Sequence, residues 1–297
     1  MLYDLTLAIS YSYPVPSVNS RTVMRLTPSS IEGRQVVRSR MIRAEPAPSE
    51  KRDTMDFFGN AMTTAVWTEP VEALRLTLTA RVERLAPAQE LDLSAPLASL
   101  PQEISLAQDI GTQSPHHFIA ASRRAKPGGA MTEFARDQLR PGMSTLEAVQ
   151  AIGHALHGIM RFDPDATTVN TPAEEAFDKR HGVCQDFSHI MITCLRGIGI
   201  PAGYVSGFLR TRPPPGKPRL EGADAMHAWV RAWAGAEIGW IEFDPTNDRP
   251  AGVDHIIVGY GRDYDDVAPV RGALRGFGAQ ESRQAVDVVP LDDPAAG

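Results

Sequence analysis

Three side chains in this sequence have the types and the order that thiol chemistry requires. Cys184 lies in Gly182-Val183-Cys184-Gln185-Asp186-Phe187, His227 in Met226-His227-Ala228-Trp229-Val230, and Asp244 in Trp240-Ile241-Glu242-Phe243-Asp244-Pro245. Behind the cysteine, Phe187, Ile190, Met191, Cys194, Leu195 and Ile198 keep helical spacing, which predicts a buried helix with Cys184 in its first turn. A helix start offers free N–H groups and the positive end of the macrodipole, and both favour thiolate over thiol. A histidine beside it completes an ion pair and can protonate a leaving amine, while an aspartate holds the imidazole in place. The chemistry so read is acyl transfer through a thioester on Cys184, with His227 as base and Asp244 as its partner.

An oxyanion needs donors. The backbone N–H near Cys184 is one candidate, and the side-chain amide of Gln185 is a second. His181, Tyr204 and Trp229 are further candidates for the substrate cleft, each with a plainer reading as loop, strand or core residue. Asp186 is accounted for by the helix dipole. The second cysteine, Cys194, sits mid-stripe, as a packed apolar thiol does. It lies ten positions from Cys184 (194 − 184), roughly 15 Å of helical rise, too far for a disulfide, which needs Cα atoms within about 7 Å. Zinc held by Cys184, His227, Asp244 and His181 is the competing metal reading, but those spacings match no zinc signature. No metal and no cofactor is expected. His154 and His157 read as a solvated helix face.

These residues must be positioned by elements the pattern also outlines. Tyr3, Leu5, Leu7 and Ile9 alternate with polar or small residues, as do Leu74, Leu76, Leu78 and Val82, and Pro14, Pro16, Pro28, Pro46, Pro48 and Phe58-Gly59-Asn60 punctuate the stretch between. Residues 1–100 are therefore expected as an antiparallel, sandwich-like β domain, with 86–115 a wrapping linker. Residues 101–290 are expected as an α+β core and 291–297 as a frayed tail. Within the core, Ser144-Thr145-Leu146-Glu147 has capping-box spacing, and Thr171-Pro172-Ala173-Glu174 predicts a second cap with proline at the first helical position. Gly197-Ile198-Gly199 and Pro201 end the Cys184 helix. Strands are predicted at Tyr204–Leu209, Ala228–Trp233 and Trp240–Phe243. Between the first two, Thr211–Ala225 forms a Pro- and Gly-rich loop suited to a lid or substrate rim.

Bulk properties narrow the class. The chain has 297 residues, 42% of them hydrophobic, and 30 basic against 36 acidic residues give a net charge of −6. That balance argues against nucleic acid as a partner, and no stretch is apolar enough to span a membrane. The first residues lack the pattern of a signal peptide, and two thiols that cannot pair suit a reducing compartment, so the cytoplasm is expected.

Taken together, the three motifs resemble those of the transglutaminase-like cysteine enzyme superfamily in its bacterial branch, whose nucleophile, base and acid fall on Cys184, His227 and Asp244. Tyr11-Ser12-Tyr13-Pro14-Val15 and Asp56-Phe57-Phe58-Gly59-Asn60 are similar to the N-terminal region of that branch, and Gly261-Arg262-Asp263-Tyr264-Asp265-Asp266-Val267-Ala268-Pro269-Val270 to a segment following the triad. The resemblance implies a papain-like core with the nucleophile at a helix N-terminus on an antiparallel sheet. It also implies a peptide or protein amide substrate, with water or an amine as acyl acceptor. Calcium control, known among animal members, is not expected, because no acidic loop has EF-hand spacing. A binding or scaffold module that keeps the fold is the non-enzymatic alternative.

Overall fold

The computed structural model describes residues 1–86, 91–211, 222, 224–275 and 281–291. The chain opens with β1 (Leu2–Met24), β2 (Gln35–Glu45), β3 (Glu50–Met55), β4 (Ala61–Trp67) and β5 (Val71–Arg84). The alternation in β1 and β5 buries Tyr3, Leu5, Leu7 and Ile9 against Leu74, Leu76, Leu78 and Val82. β1 is long because it serves two half-sheets. Its first part pairs β5, with Leu7 opposite Leu78, and Ser20–Met24 pairs β4. Pairing to β5 breaks between Ser12 and Ser17, where Pro14 and Pro16 offer no N–H to a ladder. The prolines thus bend one strand instead of ending it.

The core follows with α1 (Leu100–Leu106), α2 (Gly129–Asp137), α3 (Thr145–Ile159), β6 (Arg161–Phe162), α4 (Ala173–Lys179), β7 (His181–Gly182) and α5 (Cys184–Gly197). Neither α1 nor α2 was expected from the pattern, and α1 lies inside the supposed linker. The capping box at Ser144 is present: Ser144 Oγ accepts from the Glu147 N–H at 3.1 Å, and Glu147 returns a carboxylate to the Ser144 N–H at 2.9 Å. The second expected cap is corrected. α4 begins one residue later, with Pro172 at its N-cap and no side-chain cap bond, because the Thr171 hydroxyl accepts from the Thr168 N–H instead.

Helix α5 is the centre of the core, packed by α2, α3 and α4 and laid on the antiparallel sheet of β8 (Ala202–Leu209), β9 (Ala225–Trp233), β10 (Trp240–Asp244), β11 (Arg249–Pro250) and β12 (His255–Gly261). The sheet order is β11-β10-β9-β8-β12. Gly199, at φ +87°, turns the chain out of α5 as the glycine pattern predicts. Much of the expected Thr211–Ala225 loop (212–221 and 223) lies outside the described residues, as does the expected tail from 292 onward.

β12 is an edge strand whose outer side is covered by two side-chain amides from the N-terminal layer. Gln35 accepts from the Ile257 N–H at 2.9 Å and donates to its carbonyl at 2.8 Å. Asn60 does the same at Tyr260, at 2.8 Å in both directions. Each amide stands in for one residue of a neighbouring strand, so the backbone groups of a buried edge are satisfied.

After α6 (Tyr264–Val267), the chain returns to the N-terminal layer as β13 (Val270–Arg275) and β14 (Glu281–Pro290), paired to the two parts of β1. Residues 270–275 and 281–290, expected within the core, therefore complete the N-terminal sheet. In the opposite direction, Ala95 bonds to the Ala234 carbonyl at 2.8 Å, so the chain has already joined the core before residue 100. Among the described residues, no helix is long and apolar enough to cross a membrane.

Candidate active site

The turn entering α5 is built around a buried carboxylate. Asp186 reaches back to accept from the Val183 N–H at 2.8 Å and from the Thr167 hydroxyl at 2.6 Å, and burial pushes its carboxyl pKa up. A Cβ on Gly182 would lie 2.6 Å from that carboxylate, so only glycine fits two residues before the cysteine. Asp186 therefore does more than meet the helix dipole: it ties the first turn of α5 to the incoming chain. Cys184 sits half-buried at the first helical position, where neither its own N–H nor that of Gln185 has an intrahelical acceptor.

His227 comes from β9, opposite Gly207 of β8, and Asp244 from the end of β10. His227 Nε2 meets Asp244 Oδ2 at 2.8 Å, and Cys184 lies near enough to raise the pKa of the same imidazole. Of the three residues expected together, His227 and Asp244 are in direct contact, and Cys184 lies at the helix start beside them. Burial alone would discharge the ring, but the hydrogen bond with Asp244 and the nearby Cys184 outweigh it and raise the His227 pKa to about 10. Asp244 is fully buried, which favours its neutral form, yet the bonds from His227 and from His255 hold it well below the usual carboxylate range. Thr246 and Asn247, on the turn after Asp244, donate backbone N–H groups to Oδ1 at 3.0 and 3.2 Å.

His255 was not among the residues singled out from sequence. Its Nε2 lies 3.0 Å from Asp244 Oδ2. With His227 and Asp244 it forms a group whose donor atoms fall within 4.8 Å of one another, the one metal-compatible cluster found among the described residues. The 2.8 and 3.0 Å separations are hydrogen-bond lengths, which account for the cluster as it stands. His181, named in the zinc reading, is instead paired with Asp163 at 3.5 Å on the short β6–β7 pair.

The remaining candidates fall as follows. The Gln185 amide donates to the Val169 carbonyl at 3.1 Å, so its side chain is engaged away from an oxyanion. Tyr204 is buried beside His189 and Tyr264, and burial together with the Cys184 charge pushes its hydroxyl pKa well up. Trp229 is fully buried. It stacks on His227 with centroids 6.1 Å apart, meets His255 edge-on at 5.1 Å, and donates Nε1–H to Glu242 at 2.8 Å. Cys194 packs in the core, donating to the Met131 carbonyl at 3.2 Å, and burial raises its thiol to about 12. His154 and His157 are not merely solvated: they meet Asp248 at 2.5 Å and the Pro245 carbonyl at 3.2 Å, bracing the turn that follows Asp244.

Comparison with known proteins agrees with this layout. Residues 132–245 match the transglutaminase-like superfamily and residues 3–83 the bacterial transglutaminase-like N-terminal region. An uncharacterized protein of Mycobacterium tuberculosis is 32% identical over 297 residues, covering 99% of this chain and 94% of its own. Another, of Mycobacterium leprae, is 31% identical over 286 residues, covering 95% and 96%. The solved structure of a provisionally named cysteine protease from Cytophaga hutchinsonii superposes with a TM-score of 0.74 over 99% of this chain and 91% of that one, at 22% identity. With both of its regions matched in order and relatives aligned along almost its full length, the chain belongs to the transglutaminase-like superfamily and carries the N-terminal region of the bacterial branch.

Proposed function

We propose that this protein is a cysteine-dependent amide hydrolase or acyltransferase working through a thioester on Cys184. The Cys184 thiolate attacks the amide carbonyl carbon, and the N–H groups of Cys184 and Gln185 at the start of α5 receive the oxyanion. His227, held protonated between Cys184 and Asp244, gives its proton to the leaving nitrogen as the C–N bond breaks. Neutral His227 then takes a proton from water, whose oxygen attacks the thioester and releases the acid and the thiolate. An amine at the same position would complete transamidation instead. Hydrolysis is the favoured outcome, because a cleft that admits water reaches it without a second substrate. Two unpaired thiols suit action in the cytoplasm.

The observation that carries this reading is the imidazole bonded to a carboxylate 2.8 Å away, with a cysteine at a helix start acting on the same ring. It is tested by alkylating the protein with iodoacetamide from pH 5 to 9 and mapping the modified cysteines by mass, with Cys194 as internal control. Fast modification of Cys184 well below pH 7, lost in His227→Ala, is expected. A Cys184 that titrates as an ordinary thiol would refute the activated pair.

A further inference from the structure

We propose that His255 is a positioning residue of this site: as a neutral imidazole it donates its Nε2–H to Asp244 Oδ2 and so fixes the carboxylate that orients His227. The inference rests on the triad reading above and adds to it a fourth residue, from a strand that reading does not use.

Five donors converge on Asp244. Oδ2 receives His227 Nε2 at 2.8 Å, His255 Nε2 at 3.0 Å and Asn247 Nδ2 at 2.7 Å, and Oδ1 receives the N–H groups of Thr246 and Asn247. Thr246 and Asn247 ride on the same turn as Asp244 and move with it. His227 is the group to be oriented. His255 alone among the five holds the carboxylate from an independent element, the edge strand β12.

Its tautomer follows from its other nitrogen. The Gly252 N–H points at His255 Nδ1 from 3.2 Å, so Nδ1 accepts and Nε2 carries the proton. Burial keeps the ring neutral, and the charges of His227 and Arg249 act in the same direction, against the pull of Asp244. A neutral donor suits this place. It satisfies a lone pair of the buried carboxylate without cancelling the charge that stabilises the His227 imidazolium. The indole of Trp229 adjoins both imidazoles, whose centroids lie 6.2 Å apart.

The mount of His255 belongs to the N-terminal layer. Gln35 and Asn60 clamp β12 at Ile257 and Tyr260, and the Tyr3 hydroxyl donates to Asp254, the residue before His255, at 3.0 Å. Asp254 also pairs with Arg210 at 3.7 Å. The first sheet of the protein thus reaches Asp244 by way of His255.

The test compares the pH profile of Cys184 alkylation in the wild type, His255→Leu and His255→Gln. Leucine fills the site without a donor, whereas glutamine returns an N–H at comparable reach. We expect His255→Leu to slow modification at pH 6 by about tenfold, short of the hundredfold that a misplacement of about 1 Å can cost, and His255→Gln to recover most of the rate. A merely structural histidine would leave the profile of the folded variants unchanged, and that result overturns the proposal while the triad stands. An ordinary thiol profile in the wild type overturns both. Should His255→Leu fail to fold, imidazole nitrogen NMR of the wild type decides: a neutral His255 with its proton on Nε2 from pH 6 to 8 supports the proposal, and a proton on Nδ1 refutes it.

Discussion

At the scale of single residues, the site sets two histidines against each other in their response to pH. His227 is raised to about 10, so its stabilisation of the fold is complete below the unfolded value of about 6.5 and is lost as pH rises through about 10. Asp244, depressed, contributes stability that is complete above about 4 and is lost only in strong acid. His189 behaves oppositely to His227. Buried in α5 and accepting the Tyr264 N–H at 3.2 Å, it is lowered to about 4 by burial. Its neutral form is the folded one, so stability falls as pH drops from about 6.5 towards 4, by on the order of 3 kcal/mol. Melting temperatures at pH 7.5, 5.5 and 4.5 check this: His189→Gln, which keeps an acceptor and cannot charge, should lose clearly less than the wild type between the first and last. Equal slopes would show that other groups carry the acid sensitivity. Cys184, His227 and Asp244 could be singled out from sequence because each proposed role admits few residue types. His255 could not, since a histidine in an apolar run ordinarily reads as core, and its bond to Asp244 exists only once β12 is placed.

Between residues and layers stand the elements, where glycine decides how closely they approach. At Gly207, facing His227 across the β8–β9 ladder, a Cβ would lie 2.1 Å from the Ile256 carbonyl and 2.6 Å from the Trp229 ring. A backbone atom cannot swing aside as a flexible side chain does. Gly207→Ala should therefore force β8 and β12 apart and cost at least the roughly 1–3 kcal/mol typical of overpacking. It should also slow Cys184 alkylation, because Ile256 and Trp229 adjoin His255 and His227. Gly158 is the control: it is an exposed residue of α3 with nothing within 4 Å, and Gly158→Ala should stabilise by about 0.5–1 kcal/mol. Urea unfolding of both variants decides it, and an unchanged Gly207→Ala would show that the strands yield freely. The same scale explains what the pattern hid. α3 and α5 were legible from long apolar stripes with clear ends. α2 begins at Gly128-Gly129, a pair that carries no helix-start signal, and α1 is only seven residues long. β12 alternates with nothing, since all seven of its residues are buried, and it leaves no two-residue signature.

For the molecule as a whole, the sequence displayed two regions but not what joins them. Gln35 and Ile257 are separated by 222 positions and Asn60 and Tyr260 by 200, and a lone amide in a β-rich stretch carries no mark of its partner. The return of β13 and β14 to β1 was equally hidden, because strand alternation names a face and not a neighbour. Together these contacts make the N-terminal layer part of the support of the core: its sheet is completed by the chain's last strands, and the edge of the core sheet is completed by its amides. Replacing both amides, as Gln35→Leu with Asn60→Leu, leaves the N–H and carbonyl groups of Ile257 and Tyr260 buried without partners, at about 1–3 kcal/mol for each group that water cannot reach. Because β13 and β14, which follow the core in sequence, belong to the N-terminal sheet, and these bonds also cross between the layers, the loss should lower the stability of both together. Trp67 reports on the N-terminal layer and Trp233 on the core, each nearly fully buried, so single-tryptophan versions give separate probes of urea unfolding. The expected result is one coincident transition at a lower midpoint in the double variant. If the Trp67 transition instead holds its wild-type midpoint while Trp233 melts early, the layers are independent domains in contact, and the amide clamp supports β12 without coupling the layers.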